Sequence, residues 1–227
     1  MAKILNIETS TEICSVCISE NAQLLAIAES HEGYNHSSNL TIFIQKCLKE
    51  AKLKMEDIDA IALSQGPGSY TGLRIGVSVA KGICYALNKP MIAVDTLQAL
   101  AFAAAEKHKT DVLFCPMIDA RRMEVYTAIY NLENEIVDHL QAKIIDSNSF
   151  INYFEEGKKI LFCGNGAEKC KEVISSPNAQ FSSIKCSAKH LISISEEHFK
   201  RQTFEDIAYF SPLYFKAPNI TLPKKIL

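Results

Sequence analysis

The first thirty residues alternate between short apolar runs and polar breaks. Lys3 to Ile7 is an apolar run, Glu8 to Glu12 a polar turn, and Ile13 to Ser19 alternates before Glu20-Asn21 turns the chain into Gln23–Glu29. Patterning of period two predicts a meander of three strands, hairpin-like at residues 20–22. The period then changes. Leu40, Phe43, Ile44, Cys47, Leu48 and Ala51 fall at i, i+3, i+4, i+7, i+8 and i+11, which predicts an amphipathic helix over 40–51. His36-Ser-Ser-Asn39 offers its N-cap. A strand at 58–64 leads through a glycine-rich segment into a helix that runs to about Leu87 and stops at Asn88-Lys-Pro90. A short strand at 91–94 and an alanine-rich helix, capped by Asp95-Thr96 and running to about Lys107, complete the half. Three meandering strands followed by alternating helix and strand indicate an α/β protein with a mixed sheet flanked by helices.

After about residue 110 the order of elements partly recurs without any repeat of sequence. Strands are predicted at 112–118, at 124–130 and from 135, then a short helix at 147–154 and a strand at 159–163. A Gly164-Asn-Gly166 turn leads into another helix. The recurrence predicts two related lobes, 1–108 and 109–227, with their boundary near 105–111. The tail from Ser211, which carries Pro212, Pro218 and Pro223, is expected to be extended and to wrap the surface.

Composition narrows the classes of function. With 48% apolar residues in 227, the chain builds a real core, and a formal net charge of −2 gives no electrostatic case for binding nucleic acid alone. The densest basic cluster is only Lys224-Lys225. No stretch of about 18 apolar residues is present, and the N-terminus lacks a secretory pattern, so a cytoplasmic protein without a membrane span is expected. Eight cysteines then read as reduced, mostly buried thiols. Cys14-Ser-Val-Cys17 lies in a strand, where three positions apart means opposite faces, so it is no half of a zinc site.

The glycine segment Ser64-Gln-Gly-Pro-Gly-Ser-Tyr-Thr-Gly-Leu-Arg-Ile-Gly76 admits three explanations: turns of positive φ, close approach of a phosphate, or close approach of another helix. It fits neither the phosphate loop nor the dinucleotide fingerprint. Leu73-Arg74 stands where Lys-Ser/Thr is needed, and Thr71 where the third glycine is needed. The helix start and Arg74 still offer an anion- or nucleotide-binding candidate: Gly66, Gly68, Ser69, Thr71 and Arg74, together with Glu8 at the end of the first strand. The packing reading is the stronger. Gly72, Gly76 and Ala80 recur every four residues and form a side-chain-poor stripe flanked by Val79 and Ile83. Such a stripe serves a helix within the monomer or a subunit interface, the latter with helix 40–51 beside it.

Asp119-Ala-Arg121-Arg122 reads either as a catalytic acid with anion-binding arginines or as a turn fixed by its own Asp. No two of the six histidines are three or four apart, and no G-x-S-x-G elbow occurs, so neither a helical metal pair nor a triad is assembled.

Taken in order, Ile7-Glu-Thr-Ser10, the glycine segment and Ile118-Asp-Ala-Arg-Arg-Met-Glu-Val-Tyr126 closely resemble the bacterial TsaB (YeaZ) family, with a weaker likeness out to Tyr214-Phe-Lys216. The resemblance implies the actin-like, Hsp70-like and sugar-kinase-like (ASKHA) fold, with two ribonuclease-H-like lobes. The same motifs look like TsaD, the catalytic relative, which carries a metal-binding H-x-x-x-H helix; Thr96 and Leu100 stand at those two positions, and neither replaces an imidazole. The resemblance therefore implies a non-catalytic scaffold for making threonylcarbamoyladenosine in tRNA. It would bind a TsaD transferase, be joined by a TsaE ATPase, form a homodimer when alone, and meet tRNA only through the complex. Its interface would comprise Leu40, Phe43, Ile44, Cys47, Gly72, Gly76, Val79, Ala80 and Ile83, so that Gly76→Arg should block association without unfolding the chain. No cofactor is implied, with a nucleotide at the partner interface left open. The alternative from the same fold is a nucleotide-dependent phosphotransferase or a glycoprotease-like peptidase.

Overall fold

The computed structural model describes residues 2–30, 35–109 and 111–216. Strands β1 (Lys3–Glu8), β2 (Cys14–Glu20) and β3 (Gln23–Ser30) form the expected meander. Its second turn is a two-residue hairpin in which Asn21 and Ala22 both have positive φ (51° and 61°), the hand that matches the twist of the strands. Helix α1 (His36–Ala51), β4 (Ala60–Gly66), helix α2 (Tyr70–Leu87), β5 (Met91–Asp95) and helix α3 (Thr96–His108) follow. The second half contributes β6 (Leu113–Asp119), β7 (Glu124–Tyr130), β8 (Ile136–Ile144), helix α4 (Ile151–Glu155), β9 (Ile160–Cys163), β10 (Ala179–Phe181) and helix α5 (Ile192–Lys200).

The two sheets share one topology. The first is ordered β3-β2-β1-β4-β5 and the second β8-β7-β6-β9-β10. In each, the three meander strands pair antiparallel, the fourth strand pairs in parallel with the first of them, and the fifth pairs in parallel with the fourth. The recurrence of element order is thus a recurrence of fold.

Alternation along the strands sorts residues onto the two faces of the first sheet. Leu5, Ile7, Cys14, Val16 and Ile18 face α1 and α2, whereas Ile4, Ala60, Ala62, Ile92 and Val94 face α3 and α5. Cys14 and Cys17 fall in different clusters, on opposite faces, and all eight cysteines are buried and unpaired. Helix α3 is apolar nearly all round because it lies between the sheets: Ala99 packs with the first, and Leu97, Leu100, Ala101 and Ala104 with the core of the second.

Several boundaries differ from expectation. Helix α1 starts a turn early, at His36, because His36 continues the buried row of Leu40, Ile44 and Cys47; the expected N-cap residues lie inside the helix. Gly164-Asn-Gly166 leads only into a single 3₁₀ turn, Glu168–Cys170, because Val173 and Ile174 turn back into the core of the second sheet. Strand β10 and helix α5 are additions, and α5 returns to the first sheet through Ile194 and Leu191 at its entry. Over 211–216 most residues are exposed, and the Leu213 N–H donates to the Gln65 carbonyl at 2.8 Å. Pro218, Pro223 and Lys224-Lys225 lie outside the described residues.

The glycine segment is explained by the first turn. The Ser69 N–H donates to the Ser10 carbonyl at 2.6 Å, and a Cβ on Gly68 would lie 2.3 Å from that same oxygen. A Cβ on Gly72 would lie 2.1 Å from the Thr9 carbonyl oxygen, and one on Gly76 would lie 2.4 Å from Thr9 Oγ1. Gly66 adopts φ 113° at a cis bond to Pro67. Close approach of the chain's own first turn, by backbone at Gly68 and Gly72 and by the Thr9 side chain at Gly76, is the reason for these glycines, with a turn of positive φ added at Gly66.

Gly72→Ala and Gly82→Ala are expected to move stability in opposite directions. The first puts a methyl into a backbone carbonyl and should cost about 1–3 kcal/mol as overpacking. The second meets nothing within 4 Å on an exposed helix face and should gain up to about 1 kcal/mol in helix propensity. Urea unfolding of both variants measures this; changes of the same sign would refute the packing account.

Candidate functional site

Two turns, one from each sheet, are brought together through Asn165. The first, between β1 and β2, holds Glu8 to Ile13; the second, between β6 and β7, holds Asp119 to Met123. Glu8 is 1% exposed, and its Oε1 accepts from the Ser10 N–H at 2.6 Å and the Ser64 hydroxyl at 3.0 Å. Burial raises its pKa, and the Ser10 and Ser64 hydrogen bonds oppose that rise without overcoming it. His36 Nε2–H donates to the Thr11 carbonyl at 2.7 Å and closes the turn from the α1 side.

This arrangement leaves little of an anion receptor. Ser69 caps α2 by accepting from the Gly72 N–H at 3.2 Å, so the N–H an anion would use is already occupied. Gly66 and Gly68 are packed against the Leu213 and Ser10 carbonyls, which repel an anion. Thr71 and Arg74 are exposed, and the Arg74 guanidinium lies 4.9 Å over the ring of Tyr70. The six residues of the candidate set are neighbours in space, but the buried ones are committed to structure.

Across from it, Asp119 fixes its own turn: Oδ1 accepts from the Arg121 N–H at 2.9 Å and from Lys169 Nζ. Lys169 also donates to the carbonyls of Arg122 (2.6 Å) and Glu124 (2.7 Å), spending its ammonium on the hairpin. Arg121 and Arg122 take left-handed φ values of 74° and 50°, and their side chains are exposed. Asn165 joins the two turns. Its Oδ1 accepts from the Asp119 N–H at 3.0 Å, and its Nδ2 donates to Glu12 Oε2 at 2.7 Å. A cavity of about 440 Å³ opens beside this bridge, lined by Glu12, Asn165, Lys171, Phe181 and Lys185 among others. Gly164 does not cradle a ligand there, since its Cβ would lie 2.3 Å from the Met117 carbonyl oxygen.

The tail straps the same side. Tyr214 packs on Tyr70 with ring centroids 4.6 Å apart, Phe215 meets Tyr126 edge-on at 5.9 Å, and Lys216 pairs with Glu124. Residues 211–216 therefore run from the start of α2 to the second sheet.

The metal positions implied by the TsaD likeness do not fit a metal. Leu100 is 1% exposed within the core of the second sheet, and the Thr96 hydroxyl is buried with no partner among the described residues. Among the described residues no group of three or more His, Cys, Asp or Glu is placed to hold one.

The predicted interface set needs correction. Leu40, Ile44, Cys47 and Ala80 are buried against the first sheet, and Gly72 and Gly76 face Thr9, so this stripe is the inner face of α1 and α2. Gly76→Arg would accordingly disturb the fold rather than spare it. Phe43, Val79 and Ile83 are half-buried at the rim of that core. The outer face carries residues the helical period passed over: Ile42, 57% exposed, Gly82, with no atom near its Cβ, and Tyr85, 86% exposed. The signal was available, since apolar residues off the buried stripe and a mid-helix glycine are both unfavourable without a further reason.

Comparison with known proteins gives these features a context. The family model described as TsaD: tRNA N6-adenosine threonylcarbamoyltransferase matches residues 29–221. The tRNA threonylcarbamoyladenosine biosynthesis protein TsaB of Bacillus subtilis is 29% identical, over 94% of this chain and 93% of that protein. The structure of YeaZ from Pseudomonas aeruginosa superposes with a TM-score of 0.82 at 26% identity, covering 94% of this chain and 100% of that one. The fold extends to component A of the (R)-2-hydroxyglutaryl-CoA dehydratase of Acidaminococcus fermentans, with a TM-score of 0.52 at 10% identity over 89% of this chain and 100% of that one. The architecture is the ASKHA fold: two mixed sheets of ribonuclease-H-like topology flanked by helices.

Glu8 supplies a pH test of the first turn. A carboxyl whose pKa is raised on folding binds its proton more readily folded than unfolded, so its contribution to stability falls as pH climbs above the ordinary carboxylate value of about 4.3 through the raised one. The stability of the native chain relative to Glu8→Gln should therefore decline with rising pH across that window and then level off. Urea unfolding as a function of pH reads this, and parallel curves for the two proteins would refute the buried carboxylate.

Proposed function

Because the chain belongs to the family described as TsaD: tRNA N6-adenosine threonylcarbamoyltransferase, and resembles its TsaB (YeaZ) members, we propose that it is a non-catalytic scaffold in tRNA threonylcarbamoyladenosine biosynthesis. The observation that carries this reading is the pair Thr96 and Leu100. Where the transferase has imidazoles for a metal, this chain has a buried hydroxyl and a core leucine, which keep the helix and lose the ligands.

A scaffold works through a surface. In this reading residues 1–108 form the partner-docking lobe and 109–227 the second. A TsaD-type transferase docks on the outer face of α1 and α2, on Ile42, Phe43, Val79, Gly82, Ile83 and Tyr85. The helix backbone at Gly82 lets a partner approach closely, and Tyr85 offers a large ring with a polar tip, the kind of residue enriched where interfaces concentrate their energy. The same face serves a homodimer when the transferase is absent, and a TsaE-type ATPase joins the assembled pair. In this reading tRNA is met by the assembly in the cytoplasm, and the net charge of −2 supports that over binding by this chain alone. No nucleotide is assigned to this chain, because its glycines are packed against carbonyls. The phosphotransferase or peptidase alternative draws no support from the two turns, whose Asp119 and Glu8 are engaged in structure.

Gly82→Arg is expected to leave the thermal midpoint of the isolated chain unchanged or higher, since the side chain enters open space on a helix. It should nonetheless abolish co-elution with a TsaD-type transferase on size exclusion. Retained co-elution would place the interface elsewhere. Reconstituted tRNA modification with the transferase, the ATPase and the adenylate-forming synthase held constant should fall to background when this chain is omitted; undiminished modification would overturn the scaffold role.

A further inference from the structure

The strap at 211–216 and the second turn put guanidinium groups and aromatic rings on one exposed face. Contacts run across it without a break. The Arg74 guanidinium lies 4.9 Å over the Tyr70 ring, Tyr70 packs on Tyr214, Phe215 meets Tyr126, and Lys216 pairs with Glu124. The Glu124 N–H then donates to the Arg121 carbonyl at 3.1 Å, which brings in Arg121 and Arg122. Arg74, Arg121, Arg122, Tyr214 and Phe215 are all exposed.

The arginines are the charges left over. Asp119 pairs with Lys169, Glu124 with Lys216, and Glu12 with Lys185 at 3.9 Å. Asp146, next to the Ile145 N–H that donates to the Met123 carbonyl, is opposed by Lys143, and Glu168 is matched in number by Lys171. Arg74, Arg121 and Arg122 make no ion pair among the described residues. A ring attracts a cation without neutralising it, so Tyr70 leaves the charge of Arg74 in place. Beneath the face, Glu8 and Asp95 accept from backbone N–H groups of the first turn and of the start of α3. Even with both ionised, they are two carboxylates against three guanidinium groups. The face is net positive in a chain whose formal charge is −2.

The second turn also presents its charges in a fixed frame. Arg121 and Arg122 take φ values of 74° and 50°, a conformation that glycine and asparagine adopt more readily. Asp119 and Lys169 hold that shape through the Arg121 N–H and the Arg122 and Glu124 carbonyls. The backbone is therefore tied down, while neither arginine side chain has a partner among the described residues. A rigid turn with two free guanidinium groups loses little freedom when an anion binds.

We propose that this face binds RNA in single-stranded form, with phosphodiester oxygens on Arg74, Arg121 and Arg122 and unpaired bases stacked on Tyr214 and Phe215. Exposed rings beside cations suit a single strand, because every base has a π-face and every phosphate a charge. An acidic protein segment would use the charges and leave the rings idle. The phosphates lie outside the closed first turn and displace none of its bonds. The inference rests on the scaffold reading for RNA as the polymer met in the cell, and it gives this chain a direct part in the assembly's contact with it.

The test titrates the full chain into a fluorescein-labelled single-stranded RNA of about ten nucleotides at low salt, read by fluorescence anisotropy. Saturable binding is expected, with affinity falling against salt at a log–log slope of about −2, as for three phosphates neutralised on a single strand. Arg121→Glu/Arg122→Glu should weaken binding about tenfold or more, and Tyr214→Ala about fivefold or more through lost stacking. An unchanged thermal midpoint separates lost binding from lost structure, and Arg74→Gln repeats the test from α2 should either variant unfold. No transferase is present, so failure of the docking face on α1 and α2 would leave this result untouched. Binding that is absent at low salt, equal in all variants, or competed by polyglutamate as strongly as by unlabelled RNA would overturn the proposal.

Discussion

The carbonyls of the turn between β1 and β2 lie closer to helix α2 than any side chain would permit, and the rest of this face follows from that contact. The Ser10 carbonyl accepts from the Ser69 N–H, Gly68 and Gly72 leave room for the backbone of Ser10 and Thr9, and Gly76 leaves room for the Thr9 side chain. With the helix held against the turn, Ser69 is free to cap it, and Glu8 is sealed behind with its two donors, Ser10 and Ser64. A ligand phosphate entering here would have to displace bonds that the chain already makes with itself. Buried backbone polar groups do not give up partners cheaply.

Helix α3 plays the corresponding part between the sheets. Alanine dominates it because both sides must approach closely: Ala99 meets the first sheet, and Ala101 and Ala104 meet the second. Around this apolar joint the polar ties are few and specific. Glu12, Asn165, Asp119 and Lys169 form a chain of hydrogen bonds from one turn to the other, and the strap at 211–216 adds aromatic contacts at the same side. The relative placement of the two turns thus rests on a buried apolar helix and a short polar bridge.

Much of this was legible in the sequence because periodicity reports burial. The meander, α1 to α3 and most strands of the second half were readable from it, and Cys14 and Cys17 fall on opposite faces as period two requires. What periodicity cannot report is which buried surface a small-residue stripe meets. Gly72, Gly76 and Ala80 read equally well as a partner's landing strip or as a seat for the chain's own turn, and only the position of Thr9 decides between them. Asp119 was similarly ambiguous until Arg121 N–H and Lys169 were seen to occupy it. Strand β10 is three residues long, too short for any pattern, and α5 depends on a long-range return to the first sheet.

The glycines of α2 separate two meanings that the sequence merges. Gly72 and Gly76 are required by atoms inside the chain, so their presence says nothing about a partner. Gly82 is required by nothing within 4 Å, yet it sits in the middle of an exposed helix, where glycine costs about 1 kcal/mol relative to alanine. Three positions on, Tyr85 holds an aromatic ring in solvent. Each feature alone is ordinary; together, on the face that α1 continues with Ile42, they are costs without an internal return. Thr96 and Leu100 argue in the same direction from the interior. Helix α3 is capped by Asp95 and held between the sheets, and the Thr96 hydroxyl is buried with no partner among the described residues. Gly72 and Gly76 are thus accounted for by atoms of the chain itself, whereas Ile42, Gly82 and Tyr85 on the outer face are not.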